Sequence, residues 1–466
     1  MQPETPSPLT RRAFGEQTRA LLALGLPLVG SHILQMVIGV TDTVMMGWYD
    51  VTALAALSVS GPLFFIIFIF GSGFGFAVSP MVANAASQND DRQIRRVTRM
   101  GLWLSILFAV VITPLFFFFE PIFLAIGQDA EVARLGGQYM PYLGAGLLPA
   151  LMMQVLKNYL TALELARSIL YAAAAAALFN AGVNYLLIFG NFGLPELGIV
   201  GAGIASFLSH LLGLVLLLAY AVWKRPDHEL FRNFQRPDPE ALQAVLRVGL
   251  PIGLTLLAET GLFAASGIMM GWLGPVPLAA HGIALSLASI TFMVPLGLSQ
   301  AVTVRVGRAQ GTGDREALQI AATAGLALAG VAALITMAAF LLLPELLIGL
   351  YVDPNDPARP EILAVGVALL AVAALFQLVD FGQVVALGML RGVQDTRVPM
   401  VIAAISYWAV GLPVAYVFGF MAGFEGTGVW MGLTCGLACA CVLLLSRFRR
   451  LSAKTLSFGP RHAANP

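Results

Sequence analysis

The sequence predicts an all-α membrane protein whose twelve transmembrane helices form two parallel-repeat, six-helix lobes. Three observations predict this class: a very apolar composition, twelve long apolar runs, and an internal repeat. Of 466 residues, 58% are hydrophobic and 11% are charged, and the mean hydropathy is +0.84. Soluble domains carry about a quarter charged residues, so a chain this apolar needs lipid as most of its solvent.

The apolar runs are each long enough to cross about 30 Å of hydrocarbon. They span residues 20–47, 53–86, 98–119, 137–160, 167–190, 199–223, 243–272, 277–309, 319–343, 361–388, 398–420 and 427–446. The first run is too long for the apolar core of a signal peptide, so we expect it to stay as a helix. The longest polar gap falls at mid-chain, and we expect lobes at residues 1–232 and 233–466.

The distribution of basic residues predicts how the chain crosses the membrane. Lys and Arg concentrate in the cytoplasmic loops of membrane proteins. If the N-terminus is cytoplasmic, all of the 26 Lys and Arg except Arg134 and Arg359 fall on the cytoplasmic side or at the adjacent helix ends. We therefore expect both termini in the cytoplasm.

An internal repeat divides the chain into similar halves. Identical residues recur at one constant offset without a gap: Gly25-Leu26-Pro27 with Gly249-Leu250-Pro251, Met45 to Trp48 with Met269 to Trp272, Gly73 with Gly297, and Asp90 with Asp314. Six spans separate equivalent positions, so the chain returns to the same face of the membrane. This predicts parallel repeats, an arrangement typical of transporters. The alternative is a duplication that only stabilises a bundle.

Three carboxylates interrupt the apolar spans: Asp42, Glu259 and Asp380. A charged carboxylate at the bilayer centre costs about 2.5–3.5 kcal/mol, and we expect no Lys or Arg at comparable depth. Each must then be protonated, hold a cation or face water, as ion coupling requires. The alternative is a neutral carboxyl group hydrogen-bonded inside the bundle. Because Asp42 aligns with Ser266 in the repeat, and Glu259 with Gln35, we expect two unlike sites.

Asparagines accompany the first carboxylate. Asn180 and Asn184 are four residues apart and share a face of the fifth span. Asn158 lies near the end of the fourth span, at a shallower expected depth. Amide oxygens beside Asp42 could hold a proton, a sodium ion or a substrate amine. Each asparagine could instead serve only as a helix–helix hydrogen-bond residue.

Glutamines accompany the second pair of carboxylates. Gln377 and Gln383 lie three residues to either side of Asp380. Glu259 and Asp380 could supply hard oxygen ligands for Na⁺. If both were ionised without a cation, they would repel each other, so cation binding and protonation are expected to compete there.

Several function classes are not indicated. The net charge is +1, and no compact basic face predicts nucleic-acid binding. The glycines at 71, 73 and 75 lie inside an apolar span without a following Lys, so no nucleotide-binding loop is predicted. No nucleophile–base or metal-ligand spacing is present. We therefore expect neither enzymatic activity nor a cofactor or bound metal, apart from a coupling ion, Na⁺ or H⁺.

Local motifs and the repeat together resemble a known family. They are Val-Thr-Asp-Thr-Val-Met-Met-Gly at 40–47, Ala258-Glu259, Asp380-Phe381-Gly382-Gln383, and Leu390-Arg391-Gly392. Over about residues 17–447 the chain resembles the MATE (multidrug and toxic compound extrusion) transporters, and the NorM-like branch in particular.

The resemblance implies export of drugs and other lipophilic organic cations from a bacterial cell across its inner membrane, in exchange for Na⁺ or H⁺. It implies a second-lobe cation site at Glu259 and Asp380, and a first-lobe site at Asp42, Asn180 and Asn184. Position 184 is Asn where the archaeal-type pattern has Asp, which leaves the coupling ion open. No obligate protein partner is implied, and membrane lipids surround the chain.

Other functions stay open at this point. A lipid-linked-precursor flippase of the same superfamily would favour cationic residues in its cavity, whereas we expect only acidic buried charges here. A channel would also fit repeated membrane segments, and a membrane protein without transport activity is a further alternative.

Overall fold

The fold consists almost entirely of long helices. The computed structural model describes residues 8–454, and twelve helices in it are long and apolar enough to cross a membrane. No strand occurs in this range. The predicted all-α membrane fold with twelve transmembrane helices is confirmed. Residues 1–7 and 455–466, whose cytoplasmic position is a prediction, lie outside the described residues.

The first six long helices are α1 (Pro8–Tyr49), α2 (Val51–Ser87), α3 (Asp91–Ile112), α4 (Ala130–Ala162), α5 (Ala166–Phe189) and α6 (Gly198–Lys224). The second six are α7 (Pro239–Leu273), α8 (Pro275–Thr312), α9 (Arg315–Leu342), α10 (Arg359–Gly392), α11 (Arg397–Ala404, continued to Met421) and α12 (Glu425–Lys454). A 3₁₀ segment, Thr113–Phe118, and a short helix, Phe119–Ala125, extend α3. Another short helix, Pro344–Gly349, follows α9.

Most helices extend beyond the apolar runs that predicted them. The first begins at Pro8 and not near residue 20, because polar turns can continue a helix into the aqueous phase. Two repeat-equivalent aspartates cap helices in the same way. Asp90 accepts a hydrogen bond from the Gln93 backbone at 2.9 Å, and Asp314 accepts one from the Ala317 backbone at 2.9 Å. Such caps satisfy amides that the first helical turn leaves unpaired.

The chain divides into two compact units. The N unit is Leu26–Leu257, and the C unit joins the part of α1 up to Gly25 with the chain from Ala258 onward. Two helices, α1 and α7, therefore contribute to both units. The division into lobes at residues 1–232 and 233–466 stays a prediction.

Glycines allow close helix packing within each unit. In the N unit, a Cβ added to Gly73 of α2 would lie 2.6 Å from the carbonyl oxygen of Gly249 in α7. In the C unit, a Cβ on Gly25 of α1 would lie 3.8 Å from Ala301 Cβ and 3.9 Å from the Gly297 carbonyl oxygen in α8. In the repeat, α2 corresponds to α8 and α7 corresponds to α1. Equivalent glycines therefore lie at the contacts of equivalent helix pairs, α2 with α7 and α8 with α1.

Helix α11 contains two wide turns. Its segments Ile405–Gly411 and Val417–Met421 are π-helical, and Leu412–Tyr416 between them is α-helical. Single π-helical turns occur often at functional sites. The first of these segments carries Tyr407, whose hydroxyl group accepts a hydrogen bond from Gln383 in α10.

Candidate functional site

Asp42 is buried in the N unit, with 6% of its surface exposed. The Asn184 side-chain amide donates a hydrogen bond to Asp42 Oδ1 at 2.5 Å, and the Ser206 hydroxyl donates to Oδ2 at 3.1 Å. Both oxygens of this carboxyl group therefore have donors, which come from α5 and α6.

Asn180 joins the same group through Asn184. The Asn184 Nδ2 atom also donates to Asn180 Oδ1 at 3.1 Å. This leaves Asn180 Nδ2 and Asn184 Oδ1 buried, without a hydrogen-bond partner among the described residues. The first site, defined by Asp42, Asn180, Asn184 and Ser206, thus holds one spare donor and one spare acceptor.

Asn158 is not part of this group. Its side-chain amide donates to the Gln154 carbonyl of its own helix, α4, at 2.8 Å. The structure therefore brings together three of the four first-lobe residues that the sequence singled out.

Two hydroxyl residues at the first site were not predicted. Ser206 bonds to Asp42 directly, and Tyr139 interacts electrostatically with Asp42. Tyr139 is buried, with 4% exposed. Their sequence signal is weak, because Ser and Tyr also occur at many other positions of the apolar spans.

The C unit contains the second site, defined by Glu259, Asp380, Gln377 and Gln383. All four side chains are buried. Glu259 lies in α7 and the other three lie in α10, and the two carboxyl groups interact electrostatically. The structure thus brings all four residues into one unit of the protein.

Unpaired oxygen atoms are the main feature of the second site. Glu259 Oε1, Asp380 Oδ1, Gln377 Oε1 and Gln383 Oε1 are all buried without a hydrogen-bond partner in the described part of the chain. A buried polar atom without a partner costs about 1–3 kcal/mol. A cation or a proton could satisfy such acceptors.

The two glutamine side chains are fixed through their nitrogen atoms. Gln377 Nε2 donates to the Thr291 hydroxyl at 2.6 Å, and Gln383 Nε2 donates to the Tyr407 hydroxyl at 2.6 Å. Their amide oxygens are therefore left as acceptors. Uncharged amide oxygens and carboxylates are the ligands that a hard cation such as Na⁺ prefers, so these residues fit such an ion.

Two basic residues lie inside the protein, although no Lys or Arg was expected at the depth of the carboxylates. Arg391 interacts electrostatically with Glu259. In the N unit, Lys157 is only 4% exposed, and its Nζ donates to Gln35 Oε1 at 3.1 Å. Both residues looked interfacial in the sequence because they stand near the ends of apolar runs, whereas α4 and α10 continue to Ala162 and Gly392.

Three contacts of the second site were missed for different reasons. Thr291 is one of many hydroxyl residues in apolar spans. Arg391 was part of a noticed motif but was assigned to a helix end. Tyr407 lies in a π-helical segment, and the period of an ordinary helix does not predict which way that segment directs its side chains.

Comparison with known proteins places the chain in a family. A family model described as MatE matches residues 27–186 and 251–417. The chain is 46% identical to the probable multidrug resistance protein NorM of Rhizobium meliloti strain 1021, over 93% of each chain. It is 45% identical to the protein of the same name in Agrobacterium fabrum, over 92% of this chain and 93% of that one.

Solved structures share the fold at lower sequence identity. A eukaryotic MATE transporter has a TM-score of 0.84 at 20% identity, covering 96% of this chain and 99% of its own. An outward-facing multidrug resistance MATE family transporter of the MOP superfamily has a TM-score of 0.85 at 20% identity, covering 97% and 99%. The family model matches both halves of the repeat, and the relatives align over nearly the whole chain. The resemblance seen in the motifs is thereby confirmed, and the chain belongs to the MATE family.

Proposed function

We propose that this protein is a secondary active multidrug exporter, which exchanges lipophilic organic cations for Na⁺ or H⁺ by alternating access. The names of its relatives as multidrug resistance proteins support this function. The structural observation that carries it is the set of four buried, unpaired oxygen atoms at the second site.

Electrostatics explains how the second site could couple to a cation. Two carboxylates that are buried near each other repel strongly, because the surrounding dielectric constant is low. A bound Na⁺ relieves this repulsion and is held by the carboxylates and the amide oxygens of Gln377 and Gln383. A proton on Glu259 or Asp380 relieves it as well, so the two ions compete.

Coupling requires only that drug and ion prefer different states of the protein. A ligand shifts a conformational equilibrium by its difference in affinity for the two states. In the proposed cycle, an ion at Glu259 and Asp380 favours the state that releases the drug outward. The first site, with Asp42 and its spare amide groups, would hold a proton or the amine of a drug.

Ethidium efflux tests the proposal in cells that express this chain, with Na⁺ and proton gradients imposed separately. We expect Glu259→Gln and Asp380→Asn to abolish coupled efflux while the protein still accumulates in the membrane. Loss in these variants, with dependence on Na⁺, places coupling at the second site. Efflux that follows pH, survives Glu259→Gln and fails in Asp42→Asn would move coupling to the first site.

A matched control separates coupling from a general effect of charge. Glu345 is an exposed carboxylate in the short helix after α9. Glu345→Gln makes the same chemical change as Glu259→Gln and should leave efflux unchanged. Full ethidium efflux in both Glu259→Gln and Asp380→Asn would remove the second site from the mechanism.

Buried basic residues leave a lipid-linked-precursor flippase as an alternative function. The argument against it used the expectation that all buried charges are acidic. Lys157 and Arg99, which are 4% and 8% exposed, contradict that expectation. Lys157 donates to Gln35, and Arg391 interacts electrostatically with Glu259. Ethidium efflux that responds to an imposed ion gradient favours the exporter. If the protein is correctly inserted and the cells still retain ethidium, the flippase is favoured.

We also propose that the protein lies in the bacterial inner membrane with both termini in the cytoplasm. The support is the charge bias of the sequence, in which Arg134 and Arg359 alone among the basic residues fall on the other side.

A further inference from the structure

A cleft rich in arginine lies in the N unit, away from both sites described above. The start of α3 and the segment between α6 and α7 form it. Its volume is about 580 Å³, and it is lined by Arg92, Arg95, Arg96, Arg99, Arg232, Asn233, Arg236, Pro237, Asp238, Pro239 and Glu240. Six arginines on one cleft are unusual in a chain with 11% charged residues.

Carboxylates neutralise only part of this charge. Arg96 binds Asp238 at 2.5 Å and Glu240 at 2.6 Å. The hydrogen bond from Arg96 lowers the pKa of Asp238 to about 2, so this carboxylate stays ionised and Arg96 stays paired. Arg95 and Arg232 share one carboxylate, Glu229, at 2.6 and 2.7 Å.

Three arginines of the cleft form no hydrogen bond to a carboxylate among the described residues. Arg92 and Arg236 are exposed, and their guanidinium groups have no hydrogen-bond or ion-pair partner within the described range. Arg99 is only 8% exposed. Its Nη1 donates to the carbonyl oxygens of Arg232 and Asn233 at 3.2 and 3.0 Å, while its Nε is buried without a partner. These contacts fix the Arg99 guanidinium group, which interacts electrostatically with Asp238 but forms no hydrogen bond to a carboxylate.

The second half of the repeat lacks the arginines of the cleft at the equivalent positions. At the repeat offset, the positions equivalent to Arg92, Arg95, Arg96 and Arg99 are Glu316, Gln319, Ile320 and Thr323. These residues stand at the start of α9, which lies on the same predicted face. The repeat therefore does not reproduce the arginines of this cleft in the second half.

The position of the cleft matches that of lipid headgroups. It lies where two membrane-spanning segments begin, at Asp91 and at Pro239. Beside it, the Trp103 indole nitrogen donates to the Phe234 carbonyl at 2.8 Å, and the two rings stack at 5.7 Å. Aromatic side chains of this kind are enriched at the membrane interface.

We propose that this cleft binds a phosphate group, either of an anionic phospholipid or of a soluble phosphate. Arginine forms paired, charge-assisted hydrogen bonds to phosphate oxygens, and basic pockets at the cytoplasmic ends of transmembrane helices bind phospholipid headgroups. The unpaired Nε of Arg99 would be one donor. The exposed guanidinium groups of Arg92 and Arg236 would bind the phosphate from the side that faces solvent.

Native mass spectrometry of the delipidated, full-length protein in detergent tests the proposal. Phosphatidylglycerol, phosphatidylcholine and inorganic pyrophosphate are titrated separately. Binding of phosphatidylglycerol in preference to phosphatidylcholine, without pyrophosphate binding, identifies a lipid site. Binding of pyrophosphate as well identifies a site for soluble phosphates. Binding of none of them, or equal binding of both lipids, overturns the proposal.

Paired variants show whether the cleft is the site of binding. We expect Arg92→Ala with Arg236→Ala to weaken binding by about tenfold or more, since each arginine near anionic lipid contributes substantially. The control is Arg397→Ala with Arg449→Ala, which removes two exposed arginines on the same predicted face and should change binding less than twofold. Equal losses in the two double variants would show an effect of net charge and overturn the proposal.

Discussion

Asp42 and Asp380 are both buried carboxyl groups, but their hydrogen bonds differ. Asp42 has a donor on each oxygen, from Asn184 and Ser206. Asp380 has a buried oxygen without any donor among the described residues, and so does its neighbour Glu259. Fixed donors already stabilise a negative charge on Asp42, whereas a charge on Asp380 requires something to bind there. The two sites are therefore suited to different ligands.

The hydrogen bonds around Asp42 predict that the Asn184 amide is needed for ethidium efflux. Asn184→Ala removes the donor to Asp42 Oδ1 and to Asn180 Oδ1, and a hydrogen bond to a charged group is worth about 1.5–3 kcal/mol. We expect the rate of ethidium efflux to fall by about tenfold or more. Asn158→Ala is the control, because that amide bonds within its own helix, and it should change the rate less than twofold. Equal rates in the two variants would contradict a role for the first site.

The sequence predicts the acidic and amide residues better than their partners. A carboxylate in an apolar span is conspicuous because its insertion is costly. Ser206, Thr291 and Tyr407 bring no such cost, so only the three-dimensional contacts identify them. Arg391 and Lys157 were misplaced because a long basic side chain near a helix end is usually expected to extend toward water.

Among single elements, the 3₁₀ turn Pro226–His228 connects three parts of the N unit. His228 is 4% exposed, and its Nδ1 lies 2.6 Å from the Tyr159 hydroxyl group at the end of α4. Its Nε2 lies 3.5 Å from Asp91 Oδ1 at the start of α3. The turn thereby fixes the segment between α6 and α7 against two other helices.

Because His228 is buried in this turn, we expect the stability of the protein to depend on pH. Burial lowers the pKa of His228 below its ordinary value of about 6.5, so the folded protein resists a proton that the unfolded chain accepts. Stability should therefore fall as the pH drops below about 6.5, by at most ~1.4 kcal/mol per pH unit. Thermal unfolding of purified protein between pH 8 and pH 5 measures this effect. His228→Gln should have a lower Tm at pH 8 and a flatter pH profile, and an unchanged profile would contradict the assignment.

Helix positions were predicted well and helix irregularities were not. All twelve spans correspond to helices, because apolar length directly determines which segments enter a bilayer. The π-helical turns of α11 and the 3₁₀ segment after α3 were not predicted. The π-helical turns adjoin the close approach of α12 to α11 at Gly432 and Ala415, and the 3₁₀ segment has Pro114 in its first turn. Hydropathy records neither feature.

For the whole molecule, the repeat and the charge bias together predict one orientation. An even number of spans places both termini on one side, and the basic residues indicate that this side is the cytoplasm. Green fluorescent protein fused to the C-terminus should therefore fluoresce, and alkaline phosphatase fused there should be inactive. Active phosphatase at that position would contradict the orientation.

The repeat predicted the equivalence of the halves but not the way the chain is shared between the two units. Sequence identity showed that Gly73 and Gly297 correspond, as do Gly25 and Gly249. That Gly73 packs against Gly249, and Gly25 near Gly297, depends on contacts between distant parts of the chain. No local pattern contains this information.

Because α1 and α7 each contribute to both units, the order of synthesis limits when each unit can fold. The N unit needs residues up to Leu257, and the C unit needs the part of α1 up to Gly25, so a ribosome that has produced only α1–α6 has not yet supplied all of the first unit. A chain cut between α6 and α7 should give two fragments that are each degraded when expressed alone and that persist when expressed together. A stable, protease-resistant N-terminal fragment on its own would show that the first unit matures without α7.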